Sequence, residues 1–259
     1  MVNLLELPPA PKARRNPNLI LHCGAQAVEL DQVRSVKTPR ATSTWQPIPH
    51  HQLIQTVQRT LATTKLTIGT QAHSLTHDGA RYFGLMEIHG RKTSEDYCWV
   101  LGLRNSHDKT FPAGIVAGAS VFVCDNLSFS GEVQFARKHT RFINRDLPQL
   151  TERAIGLLLA KWHDQDKRIE AYKVHEVSEE AAHDLVVRSV DVGVCANSYI
   201  PQVLKEWREP KHRAFESRNA WSLFNAFTET LKRGNLGELP KRTLALHALL
   251  DVHVGLGLN

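Results

Sequence analysis

The sequence predicts an α+β fold, with an antiparallel sheet in the first half and a mostly helical second half. Three observations carry that expectation. Two runs of strand-forming residues, Lys65–Leu75 and Arg81–His89, flank the pair Asp78-Gly79, a strong hairpin signal. Further apolar runs start at Tyr97 and Ala113 and are joined by short polar turns. From Asp146 onward, apolar residues recur at helical spacing in successive segments.

The elements follow in order. Residues 1–48 read as an extended arm, because Pro8, Pro9, Pro11, Pro17, Pro39 and Pro47 interrupt any long helix. Within it, Ala27–Val33 can form a helical turn, and Lys12, Arg14, Arg15, Arg34, Lys37 and Arg40 make two basic clusters. The arm either packs across the domain or docks nucleic acid or another subunit. The sheet half, 49–145, opens with a helix over His50–Thr63 that turns Leu53, Ile54, Val57 and Leu61 inward. The hairpin follows, then a charged turn, Gly90–Asp96, and a strand over Tyr97–Leu103. A fourth strand spans Ala113–Cys124, and a weaker fifth covers Glu132–Phe135.

The helical half, 146–259, is expected to pack as part of the same domain. Its first helix runs over Leu147–Val174, with Asp146 as cap, Pro148 in the first turn, and Lys167, Arg168 and Glu170 outward. Ser178 caps the next helix, Pro201 opens Gln202–Arg208, and Pro210 closes it. Ser217–Arg233 is amphipathic, with Trp221, Phe224, Ala226, Phe227 and Leu231 available to the core, and Thr243–Val252 is last.

The chain has 259 residues, 42% hydrophobic and 22% charged, so a sizeable core can form without metal or disulfide. Cys23, Cys98, Cys124 and Cys195 form no Cys-x-x-Cys pair and suggest reduced thiols. No uncharged run reaches membrane-span length, and Glu6, Pro8 and Pro9 fall where a signal peptide needs its apolar core. A cytoplasmic protein with no membrane partner is therefore expected. The net charge of +6 favours polyanion partners.

Two strand ends carry clustered polar residues: Arg104-Asn-Ser-His-Asp108, and Asp125-Asn126 after Ser120–Cys124. Side by side at one sheet edge, Arg104, Asn105, His107, Asp108, Asp125 and Asn126 would gather into a polar site. The same residue types are ordinary turn formers through side-chain to backbone bonds. Ser106, His107 and Asp108 cannot form a hydrolytic relay among themselves, because successive strand side chains point to opposite faces. Walker and dinucleotide glycine loops, His-Glu-x-x-His and zinc-finger spacings are all missing, so no cofactor and no resident metal are expected. His107 with Asp108 and Asp125 is the combination best suited to a divalent ion.

The strongest nucleic-acid signal is Phe135–Arg145, which sets Arg137, Lys138, Arg141 and Arg145 among Phe135 and Phe142. Basic side chains neutralise phosphates and exposed rings stack on bases, whereas a solvated connector with core phenylalanines has the same composition. Arg81, Arg91 and Lys92 at the hairpin form a second basic row.

Several segments together resemble the phage/plasmid-like protein family of unknown function. They are Thr38-Pro39 leading to Pro47-Ile-Pro-His50, Asp78-Gly-Ala-Arg-Tyr-Phe-Gly84, Asn105-Ser-His-Asp108, Val123-Cys-Asp-Asn126, Glu206-Trp-Arg-Glu-Pro210 and Trp221–Glu229. The family follows its Asn-Ser-His-Asp with a small, serine-rich stretch, whereas this chain has Lys109-Thr-Phe-Pro112. The resemblance implies a role in mobile-element biology. The element order is also similar to that of single-strand annealing recombinases of the RecT and Redβ kind, which implies a homo-oligomeric ring or filament holding DNA in a basic groove.

The leading expectation is a non-catalytic protein that binds single-stranded DNA and promotes annealing or recombination. One alternative is a metal-dependent nuclease or hydrolase built on His107, Asp108 and Asp125. Another is a counter-defence adaptor that binds a host protein.

Overall fold

The sheet grows strand by strand along the chain. The computed structural model describes residues 26–90, 97–121, 127–232 and 238–257, with the backbone alone for 119–121 and 127–134. β1 (Gln26–Val28), β2 (Thr67–Thr76), β3 (Arg81–His89), β4 (Tyr97–Ser106), β5 (Ala113–Val121) and β6 (Leu127–Arg137) form a six-stranded sheet in sequence order. Every pairing is antiparallel. At the β2–β3 turn Asp78 and Gly79 have φ of 52° and 82°. The Ala80 N–H donates to the His77 carbonyl at 2.9 Å. His77 also has a positive φ, 51°, so three left-handed residues, Asp78 and Gly79 at the centre, reverse the chain between Thr76 and Arg81.

β4 is buried on both faces from Tyr97 to Leu103, which is why its sequence is a continuous apolar run. β6 is longer than the short strand expected at Glu132–Phe135. Its alternation of Leu127, Phe129, Val133 and Phe135 is diluted by Ser128, Ser130 and Gly131.

Residues 26–48 do more than run extended across the surface. β1 pairs with β2, placing Gln26 opposite Leu75. The helical turn α1 (Leu30–Ser35) starts later than the expected Ala27, because residues 26–28 are held in the sheet. Glu29 and Gln32 cap it reciprocally. Val33 and Ile48 are fully buried.

α2 (His50–Ala62) and α3 (Ile143–Val174) pack together against the strands. Leu53, Ile54, Val57 and Leu61 are the buried stripe of α2, as the spacing predicts. Tyr82, Met86 and Ile88 on β3 pair across with Asn105, Leu101 and Trp99 on β4, and these residues are buried. Trp99 meets Trp162 of α3 with ring centroids 5.2 Å apart.

α3 begins at Ile143, four residues before the expected Leu147. Asp146 is therefore not a cap. It sits inside the first turn, where the guanidiniums of Arg137 and Arg145 pair with it and the helix dipole favours its charge. Arg168 is a second correction. Expected outward, it is buried and pairs with Asp251 at 2.9 Å, and the Tyr172 hydroxyl donates to the same carboxylate at 2.6 Å.

The remaining helices are α4 (Glu179–Asp191), α5 (Ile200–Arg208), α6 (Ala220–Leu231) and α7 (Leu239–His253), the last starting before the expected Thr243. Ser178 accepts the Ala181 N–H at 3.2 Å and caps α4 as expected. Trp221, Phe224, Ala226, Phe227 and Leu231 of α6 are buried. Cys98 and Cys195 are free and buried. Among the described residues no helix is long and apolar enough to cross a membrane.

Candidate functional site

One end of the sheet gathers most of the polar residues singled out in the sequence. β4 finishes there, beside the β2–β3 turn, the start of β5 and the end of β6. Pro47-Ile-Pro-His50 joins them through side-chain bonds. Pro49 disfavours helix at Ile48, which leaves the Ile48 carbonyl free to accept side-chain bonds.

Asn105, fully buried, is the hub. Its Nδ2 donates to the Ile48 carbonyl at 3.0 Å and to His50 Nδ1 at 2.8 Å. Its Oδ1 accepts from His139 Nε2 at 2.7 Å. His107 Nε2 donates to the same Ile48 carbonyl at 2.9 Å, and His50 Nε2 donates to the Gly79 carbonyl at 2.9 Å. The His50 and His107 rings stack, with centroids 3.9 Å apart.

The acceptors fix the tautomers. Each imidazole faces an oxygen through Nε2, so each carries its proton there. His50 Nδ1 must then be a lone-pair acceptor for Asn105, which requires a neutral ring. Burial, with repulsion from His107, lowers the pKa of His50 to about 4. Burial does the same for His139, again to about 4 with His107 adding, and it lowers His107 as well. The node is a neutral, internally satisfied network that ties residue 48 to the sheet and to the β6–α3 connection.

Gly84 has a packing role here. A Cβ on Gly84 would lie 2.0 Å from the Tyr82 hydroxyl, so only glycine leaves room for that ring. Tyr82 stacks on His50 at 5.6 Å, and its hydroxyl lies 2.9 Å from His73 Nδ1. Three segments that carry the family resemblance thus meet in one network.

Beyond Ser106 the chain turns. The Ser106 hydroxyl donates to the Phe111 carbonyl at 2.7 Å and closes the loop. Asp108 accepts the Thr110 N–H at 3.1 Å and hydroxyl at 2.6 Å, and Arg81 Nε at 2.6 Å. Desolvation pushes the Asp108 pKa up, but the bonds from Thr110 and Arg81 outweigh it and hold the carboxyl at about 2. Ser106 and Asp108 thus act as turn formers, whereas Asn105 and His107 bond into the node.

The expected polar site is described only on its β4 side. Arg104 pairs with Gly114 at one end of β4, whereas Val121 pairs with Tyr97 at the other. Asp125 and Asn126 lie outside the described residues, but the strand ends that flank them, Val121 and Leu127, are at the Tyr97 end. At about 3.3 Å per residue, that is roughly 30 Å from Ser106. His107 and Asp108 are also committed to different partners, the Ile48 carbonyl and Arg81.

A cationic rim surrounds the buried node. Phe142 is 41% exposed. Arg141 and Arg145 hold their guanidinium carbons 4.5 Å from its ring centroid. Lys109 Nζ lies 4.9 Å from the centroid of Trp45, and Trp45 in turn lies 6.3 Å from the His139 ring. Lys138 is exposed between them in sequence. Arg137 is half-buried and spent on Asp146, and Arg81 is spent on Asp108 and Thr110. Arg91 and Lys92 lie outside the described residues.

Sequence reasoning missed Trp45, Lys109, His50 and His139 as parts of this end. Trp45, two residues before Pro47-Ile-Pro-His50, and Lys109, next after Asn105–Asp108, were signalled by adjacency to those motifs. The histidines carried no local signal.

A family model described as a domain of unknown function (DUF932) matches residues 40–248. The match takes in the residues of the node and the rim. No curated protein and no solved structure matches the chain.

Proposed function

The chain belongs to the DUF932 family of unknown function, and on that premise we propose that it binds single-stranded nucleic acid across the rim, without catalysing a reaction. The observation that carries the reading is Phe142, exposed between two guanidiniums at the end of a rigid sheet. An exposed ring is a stacking surface for a base, and its flanking cations meet the adjoining phosphates. Trp45 with Lys109, beside His139, repeats the pairing of a cation with a ring. Lys109, Lys138 and Arg141 make no ion pair among the described residues, so their charge is available to a polyanion.

This site is narrower than the one expected from sequence. Of the expected residues it keeps Lys138, Arg141 and Arg145, Lys109 joins them, and Arg137 and Arg81 act as struts that fix the geometry. Stacking on rings without a groove-reading helix favours splayed bases and tolerates any sequence. The resemblance to a phage- and plasmid-borne family supports a place in strand annealing or recombination, with copies of the chain assembling along the strand. The hydrolytic alternative has no comparable support, because His107 and Asp108 are already bonded to the Ile48 carbonyl and to Arg81.

Fluorescence anisotropy of a labelled oligo-dT at rising salt tests the reading. With Lys109, Lys138, Arg141 and Arg145 each meeting a phosphate, the slope of log affinity against log salt is about −3. The triple variant Lys138→Ala, Arg141→Ala, Phe142→Ser is expected to lose most of the binding. Absence of binding by the unaltered protein at low salt overturns the proposal.

A further inference from the structure

We propose that an open groove beside the β2–β3 turn is a second binding site, for a nucleoside phosphate, in which Arg104 meets the phosphate and the Phe83–Phe111 pair meets the base. The groove has a volume of about 1040 Å³. That is at the upper end of small-molecule sites and ample for a nucleotide. Its wall combines Arg81, Phe83, Arg104, Thr110 and Phe111.

Arg104 carries the argument. Phe83 and Arg104 are cross-strand partners, so their side chains leave the same face of the sheet. The guanidinium lies 5.7 Å from the Phe111 ring centroid, and the Phe83 and Phe111 rings are 5.3 Å apart. The position is half-buried, and burial depresses the pKa of Arg104. Yet among the described residues Arg104 has no hydrogen bond and no carboxylate.

The other charges that line the groove are accounted for. Arg81 pairs with Asp108, Glu238 pairs with Arg242 at 2.6 Å, and Asp78 is exposed at the turn. A desolvated, unpaired cation lowers stability, and an arginine fork is matched to a phosphate or carboxylate. Gly114 lies under the guanidinium. A Cβ there would come within 3.1 Å of Arg104 Nε, so glycine lets the fork lie close to the sheet. A cation held against two rings, at the mouth of a nucleotide-sized groove, suits a ligand with an anion next to a flat ring.

This site is separate from the rim and does not rest on the rim's assignment. A nucleoside phosphate reaches it either as free nucleotide or as the phosphorylated end of a strand.

Thermal shift and calorimetry with dAMP, deoxyadenosine and inorganic phosphate test it on the full chain. The expected result is that dAMP raises Tm and binds at least about tenfold more tightly than either fragment. Arg104→Gln is expected to abolish the dAMP shift while leaving the unliganded Tm equal or higher, because it removes an uncompensated charge. Phe111→Leu is expected to weaken dAMP while sparing phosphate. Competition by a 5′-phosphorylated oligonucleotide, with none from its 5′-hydroxyl counterpart, assigns the strand end; competition by neither assigns free nucleotide. No dAMP response, a response that survives Arg104→Gln, or a large loss of Tm in that variant without ligand overturns the inference. Oligo-dT binding at the rim is expected to be unchanged in Arg104→Gln, so failure of one site is distinguishable from failure of the other.

Discussion

Two polar assemblies occupy the same end of the sheet and treat their hydrogen-bonding groups in opposite ways. In the node of His50, Asn105, His107 and His139, each hydrogen bond is internal and the rings are neutral. In the rim, the side chains of Lys109, Lys138, Arg141 and Arg145 are exposed, Lys109 lies against the Trp45 ring and the two arginines against Phe142, and Arg145 also pairs with Asp146. The difference separates holding a surface from offering one. A buried polar group must be satisfied inside the fold, and once satisfied it has nothing left for a ligand. Disrupting the node is therefore expected to cost stability, and disrupting the rim to cost binding.

The largest expected effect is the response of the node to acid. Above the ordinary histidine pKa of about 6.5 folded and unfolded chains are both neutral at these positions. As pH falls from 6.5 toward 4, the unfolded chain takes up protons that folded His50 and His139 refuse, because burial holds both at about 4. Stability falls across that window by about 3 kcal/mol for each of the two, at 1.36 kcal/mol per pKa unit. Asp108 loses stability in the same direction, as pH falls, but lower in range. Its stabilisation is intact above its ordinary 3.8 and is lost toward about 2. Urea midpoints between pH 7.5 and 4.5 measure the histidine loss before the aspartate contributes. A flat profile over that range breaks the contrast, since the node would then not be neutral by necessity.

Removing the hub is the next largest step. Asn105→Leu keeps the volume but strands the His139 N–H and the His50 lone pair in a dry site. The expected loss is about 2–4 kcal/mol in denaturant unfolding. The affinity of the remaining folded protein for oligo-dT is expected to be unchanged. A variant that stays stable but loses oligo-dT binding would move Asn105 from the node to the ligand site.

How far the sequence revealed this end depended on distance along the chain. Asp78-Gly79 with its flanking strands, the Leu53–Leu61 stripe and the Ser178 cap are local patterns, and each is realised as read. His50 and His139 are 89 residues apart and meet through Asn105, which no local pattern encodes. Arg168 had the spacing of a solvated residue, and its partner Asp251 lies on another helix 83 positions away. The separation of Asp108 from the flanks of Asp125 was available in principle. Antiparallel neighbours put the end of one strand beside the start of the next, not beside its end. Phe142 and its arginines were read correctly as a basic and aromatic cluster, because they are contiguous in sequence.

Gly84→Ala sharpens the link between the two halves of the node. The added methyl would force the Tyr82 ring off Gly84, and with it the stacking on His50 and the approach to His73. Overpacking of this kind costs about 1–3 kcal/mol. Removing the Tyr82 hydroxyl as well, in Gly84→Ala with Tyr82→Phe, is expected to recover part of that cost, because the atom nearest the new methyl is gone. A chemical-denaturation cycle over the two single variants and the double variant reads the coupling.

The smallest stability effect is expected at the rim. Phe142 is exposed and makes cation–π contacts in water, so Phe142→Ser is expected to change unfolding free energy by about 1 kcal/mol or less. Arg141→Ala is expected to change it by about 0.5 kcal/mol or less. The same substitutions remove the stacking ring and one phosphate partner, a loss of about 1–3 kcal/mol of binding for the ring alone. Measuring both quantities on one preparation decides the matter. If stability falls further than binding, Phe142 belongs to the scaffold and the arginines merely cover it. If binding falls while the unfolding midpoint holds, the exposed ring earns its place through a ligand, because nothing inside the fold needs it.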